Sequence, residues 1–277
     1  MQNVRFSQMS AAIFIEAYSK FFETAQAYKI EDLCLLIPYD KYKLTHSIGY
    51  IYDLIENEFT RELLNAINQF SHLTNRIIIW DKVIDGYPEE LQFELRMEFL
   101  KLPIYYCLNQ PFAIKERIMF CATHLCNLAS IAKIKDAKDD LPKDYKIGKK
   151  HFDEKAKDWP SSKLLAESLQ KIASNDYNDK TRNFRNMTHH RIPANIEYGH
   201  TNMVTRIGYG EETFEYITIE NGKEVKKKKT TKGVSYGIGY YEPLTAKELV
   251  PLFREQLDYA NLAFLAYWSV IEEHQAK

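Results

Sequence analysis

The run Arg182-Asn183-Phe184-Arg185-Asn186-Met187-Thr188-His189-His190-Arg191 holds two Arg-Asn pairs and two histidines, and Ile192-Pro193 follows at once. Arginine keeps its charge at physiological pH and offers a planar fork of donors suited to phosphate or carboxylate. Histidine, with an unperturbed pKa near ~6.5, both takes and gives a proton near neutrality. Side by side, these residue types suit the handling of a phosphate ester. Arg182, Arg185 and His189 are spaced i, i+3, i+7 and are expected on one helical face. His190 falls off that face in an ideal helix, and Pro193 predicts a helix end near Arg191 or Ile192. A site there would be partly open. The plainer reading is a solvated helix terminus whose cations offset the C-terminal dipole, but the doubled pairs exceed what that role needs.

The segment resembles the signature of the HEPN superfamily, small helical-bundle proteins that include many prokaryotic ribonucleases. That signature is an Arg, commonly followed by Asn, and then a His after four to six intervening residues. Arg185-Asn186-x-x-x-His190 fits its commonest form, with Arg191 behind the His as is frequent in the group. Arg182-Asn183 with His189 fits the longest spacing, so two registers stay open. The resemblance covers these residues and, loosely, the helices around them. It implies a metal-independent endoribonuclease without cofactor, in a defence or toxin–antitoxin role. His190, by preference, would withdraw the proton of a ribose 2′-hydroxyl, which attacks the neighbouring phosphorus and leaves a 2′,3′-cyclic phosphate. Arg185 would stabilise the phosphorane, and Asn186 would orient the site. Arg182 and His189 would support that pair or, in the other register, replace it. A homodimer with two motifs in one cleft is expected, as is a cognate antitoxin or other partner protein. The competing readings are a non-catalytic HEPN-like module for nucleotide, RNA or protein, and a helical interaction protein.

The elements that must position this segment follow from the rest of the chain. With 277 residues and 45% hydrophobic content, a large core is expected, read here as one domain. A net charge of −1 excludes a polycation that coats nucleic acid, so RNA contact has to be a local patch. Cys34, Cys107, Cys121 and Cys126 lack the spacing of a disulfide scaffold, which suits a reducing cytoplasm. No signal peptide or long apolar span is read, so no membrane partner is expected.

Helical periodicity predicts N-terminal helices over 1–135: one over 10–29, then one long or two joined helices from about His46 to Ile84. Ile48, Ile51, Tyr52, Ile55, Phe59, Leu63, Ile67 and Phe70 form the stripe of this stretch. Pro88-Glu89-Glu90 opens another helix that Pro103 is expected to close. Phe112 to Ala132 reads as a central helix. A polar surface connection with little core is predicted over 136–160, and motif helices over 161–192, with Ser161 or Ser162 as a cap and Leu164, Leu165, Leu169 and Ile172 inward. A β insert spans 196–241, with Asn221-Gly222 as hairpin turn and a third strand through Val234 to Tyr241. Thr245-Ala246-Lys247-Glu248 is a capping box that opens a final helix over 245–274. The predicted class is mainly α: a HEPN-like bundle with extra N-terminal helices and a small antiparallel hairpin or three-stranded insert.

Two further motifs carry competing readings. Lys226, Lys227, Lys228 and Lys229 form either an RNA-contacting patch, with Arg191, or a solvated edge that resists aggregation. Cys121-x-x-His124-x-Cys126 would fan out on a helix, so buried thiols and no metal are expected. His124 or Asn127 is a candidate for the polar residue that family bundles place opposite the motif.

Overall fold

The computed structural model describes residues 11–29, 33–34, 36–133, 137–201, 203–220 and 223–276. Helix α1 (Ala11–Ala27) precedes α2 (Tyr50–Asp85), α3 (Glu89–Phe99) and α4 (Lys101–Lys133). Four short helices follow: α5 (Lys149–Ala156), α6 (Ser162–Lys171), α7 (Asn175–Lys180) and α8 (Phe184–His190). A two-stranded antiparallel ribbon, β1 (Val204–Glu220) with β2 (Lys223–Ile238), leads to α9 (Ala246–Ala276). No helix among the described residues is long and apolar enough to cross a membrane.

The core lies where α2, α4 and α9 pack against one another. Along α9 the expected stripe of Leu249, Phe253, Leu257, Ala260, Phe264 and Tyr267 is wholly buried. Its start is the capping box: Glu248 N–H donates to Thr245 Oγ1 at 3.3 Å, and Thr245 N–H to Glu248 Oε2 at 3.2 Å. At the other end of the core, Trp80 stacks on Phe99 (ring centroids 3.9 Å) and on Phe21 (4.6 Å), joining α1, α2 and α3.

The stretch from about His46 to Ile84 takes the first of its two expected forms, one long helix, here Tyr50–Asp85. Other expectations are corrected. In the first turns of that helix the buried face is Tyr52, Glu56 and Thr60, while Ile51 is exposed. Pro103 does not close a helix; it sits in the first turn of α4, where its missing N–H would have no intrahelical acceptor anyway. Pro111 then lies inside that helix. The polar stretch 136–160 contributes core after all, because α5 buries Phe152 and Ala156, with Trp159 beyond. Ser161 makes no side-chain cap on α6, and Leu164 is exposed while Leu165, Leu169 and Ile172 are buried.

The ribbon also departs from expectation. Asn221 and Gly222 lie outside the described residues, but the ladder runs up to the pair Glu220–Lys223. Val234 to Ile238 belong to β2 and make no third strand. A register shift between Gly208 and Glu211 marks a β-bulge, one extra residue on β1. Isolated bridges Ile196–Leu244 and Thr201–Tyr241 root the ribbon beside the start of α9.

That root is tied to the bundle by Glu197. Its Oε1 accepts the Ala246 N–H of α9 at 2.6 Å and its Oε2 accepts from Arg96 Nη1 on α3 at 3.0 Å. Arg96 Nη1 also donates to Asp81 Oδ1 at 2.6 Å, and its Nη2 to Asp85. A buried carboxylate is tolerated when paired and hydrogen-bonded, and this one is.

Candidate functional site

The Arg-Asn-His segment is built by a corner between α7 and α8. Ser174 caps α7 through its side chain, which accepts from Tyr177 N–H. The helix ends in a Schellman motif: Asn183 N–H donates to Asn178 O at 2.6 Å and Arg182 N–H to Asp179 O at 2.9 Å. Arg182 holds the left-handed position of that motif (φ 55°), which glycine usually fills, and Asn183 is left-handed too (φ 53°). Two left-handed residues in succession turn the chain sharply. Phe184 is thereby driven into the core, edge-on to Tyr105 at 5.6 Å. On the α7 side, the buried Tyr177 hydroxyl donates to Leu108 O at 3.1 Å, which fixes the corner against α4.

This corner overturns the expected alignment of Arg182, Arg185 and His189 on one helical face, because the helix is broken between Lys180 and Phe184. Arg182 turns toward the start of α9, where Nη1 donates to Glu242 O and Nη2 lies 3.8 Å from Glu248 Oε1. Arg185 and His189, one turn apart on α8, instead line one groove of about 540 Å³ against α4. The groove therefore joins the arginine of one sequence register to the histidine of the other. Asn186 and His190 are exposed on an adjacent face, outside the groove lining. The His189 and His190 rings are 6.4 Å apart. Arg191 ends the helix in an extended conformation, exposed, as Pro193 leads one to expect.

The Arg185 guanidinium rests over the Phe112 ring, 4.7 Å from its centroid. Such stacking holds an arginine in place without neutralising it. Among the described residues Arg185 has no ion pair and no hydrogen bond. The opposite wall, on α4, includes Tyr105, Tyr106, Asn109, Gln110, Glu116 and Arg117. Gln110 is buried, and its Oε1, out of reach of solvent, has no hydrogen-bond partner among the described residues. The groove thus offers two guanidinium groups, an imidazole, the Glu116 carboxylate and aromatic rings.

Sequence reasoning missed the α4 wall because Pro103 was read as a stop. The available signal was Tyr105-Tyr106-x-x-Asn109-Gln110, with polar and aromatic residues at helical spacing. His124 and Asn127 do not face the motif. They lie about two and about three turns along α4 from Glu116 and face the 137–146 segment: Asn127 Nδ2 donates to Asp139 Oδ1 at 3.1 Å, and His124 Nε2 lies 3.5 Å from Asp144. Cys107, Cys121 and Cys126 are buried free thiols whose pKa values burial pushes up. Among the described residues no three His, Cys, Asp or Glu side chains gather as a metal centre requires.

The four lysines do not form one patch. Lys226 and Lys228 pair with Ile217 and Glu215, while Lys227 and Lys229 pair with Tyr216 and Phe214. Alternation along a strand sends these two sets to opposite faces of the ribbon. Lys228 Nζ lies 3.0 Å from Glu215 Oε1, so part of the charge is already met.

No protein-family model matches this chain, and neither a curated protein nor a solved structure does.

Proposed function

We propose that the chain is a metal-independent endoribonuclease of HEPN type whose reaction occurs in the α4–α8 groove. The observation that carries this reading is the pairing of Arg185 and His189 in one groove, with no ion pair or hydrogen bond to Arg185 among the described residues, Glu116 of the same groove included. A phosphodiester supplies the missing anion. His189 withdraws the 2′-hydroxyl proton; the oxygen attacks the phosphorus, and the departing 5′-oxygen takes a proton from solvent. The products are a 2′,3′-cyclic phosphate and a 5′-hydroxyl. Arg185 and Arg117 meet the charge that develops on the phosphorane oxygens. Asn186 and His190, on the neighbouring face of α8, and Arg191 just past its end flank the groove and contact RNA beyond the scissile bond. Dimerisation, a cognate antitoxin and a defence role belong to the same proposal.

A second reading is a non-catalytic RNA- or nucleotide-binding module. It is favoured by one observation: Arg185 and His190, the commonest motif spacing, do not share the groove. Cleavage of a mixed RNA pool in EDTA decides between them. The nuclease reading expects cyclic-phosphate ends with wild-type protein and none with Arg185→Ala. Salt-sensitive binding of intact RNA, without new ends, favours the module.

A further inference from the structure

A second cavity, about 420 Å³, lies between the strap 39–47 and the first turns of α2, far along the chain from the α8 groove. The strap is held in place on several sides. Tyr39 Oη donates to Asn57 Oδ1 at 3.0 Å, and Tyr42 packs edge-on against Phe264 (4.9 Å) and Trp268 (5.3 Å) of α9. Thr45 Oγ1 donates to Gln275 Oε1 at 2.8 Å. Asp53 accepts the Ser47 hydroxyl and, at 3.2 Å, the Ile48 N–H. The cavity is therefore formed by the fold itself.

Its inner lining includes Glu56 and Thr60. Tyr52, Glu56 and Thr60 are spaced i, i+4, i+8, so α2 presents one polar face inward here. Glu56 is only 3% exposed, and Thr60 Oγ1 donates to its Oε1 at 2.7 Å. Tyr52 is bonded to His274 Nδ1 at 2.7 Å, and the wholly buried Tyr267 lies beside Thr60 and Glu56. None of these supplies a positive charge to the carboxyl. Lys43 and His46 line the cavity from the exposed strap without an ion pair to Glu56. A buried carboxylate without a cation is costly, and burial, with Asp53 adding to it, raises the Glu56 pKa. Burial raises the Glu197 pKa too, but Glu197 has the Ala246 N–H and Arg96 as partners. The cavity beside Glu56 is the size of a small-molecule site, and no three metal-ligating side chains gather among the described residues.

We propose that this cavity binds a small primary-ammonium compound, its ammonium group paired with Glu56 and its carbon body against Tyr42 and Leu44. Lys43 and His46 at the strap suit a hydroxyl or anionic far end. Binding ionises the Glu56 carboxyl, whose proton passes to the buffer, so affinity rises with pH as pH climbs through the raised Glu56 value.

Titration calorimetry on the full chain tests this with ethanolamine and γ-aminobutyrate as probes and butyrate as the control without an amine. The proposal expects millimolar or tighter binding of both amines and none of butyrate. It expects proton release on binding, largest at the acid end of a pH series and fading as pH rises through the raised Glu56 value, read as a dependence of the heat on the buffer's ionisation enthalpy. Glu56→Gln, which keeps an acceptor for the Thr60 hydroxyl, should weaken amine binding roughly tenfold or more. Absence of amine binding to the wild type, equal binding of butyrate, or binding without proton release would each overturn it. Because proton release is read on the wild type, the test stands even if the variant fails to fold.

Discussion

Arg96 and Arg185 show two uses of the same side chain. Arg96, 13% exposed, meets Asp81, Asp85 and Glu197 and joins α2, α3 and the ribbon root. Arg185 meets the face of Phe112 and, among the described residues, no ion-pair partner. Glu197 and Glu56 repeat the contrast: both are buried, but one is paired with a guanidinium and a helix amide, the other with a hydroxyl alone. Where the chain satisfies its own buried charges, the group serves the fold. Where a charge stands unpaired beside a cavity, buried like Glu56 or exposed like Arg185, the group is available to a ligand.

Breaking the satisfied set should have the largest effect on folding. Arg96→Ala strands the Glu197 carboxylate, and a loss of about 3–5 kcal/mol in urea denaturation is expected; a loss below about 1 kcal/mol would mean the knot is not structural. Arg185→Ala should do the reverse. Cleavage should fall by about 10²–10³-fold, the scale for removing one donor to a developing oxyanion, while stability stays within about 0.5 kcal/mol.

Glu56 sharpens the comparison through pH. Its folded-state pKa is raised above the ordinary carboxylate range, so the folded protein holds a proton that the unfolded chain gives up. The resulting stability is fully present below the unfolded pKa and is lost as pH rises through the raised value. Glu56→Gln should therefore flatten the melting temperature between that range and neutrality, and melt higher than wild type at pH above it. The smallest effect is expected on the ribbon. Lys226→Gln should lower the salt slope of RNA binding by about 1, and Lys228→Gln by less, because Glu215 already pairs with it.

The long elements were legible because their signals are local. The Thr245–Glu248 capping box and the α9 stripe are read directly from spacing, and Pro193 marks the end of α8. The misread places are those where a local signal has two structural outcomes. Pro103 suits the first turn of a helix as well as a stop, and only packing of the 104–111 segment decides. The lysine run looks like one patch until strand alternation divides it. The α7–α8 corner was hidden for another reason: its left-handed positions are filled by Arg182 and Asn183, where a glycine would have announced the break. Glu56 was passed over because a lone glutamate in a helical period looks solvated.

Cleavage by His189→Ala beside His190→Ala, on one RNA in EDTA, tests the groove most directly. Loss of the histidine base should cost about 10²–10⁴-fold, and the account predicts that cost for His189→Ala with His190→Ala close to wild type. The opposite outcome, an active His189→Ala and an inert His190→Ala, would contradict it.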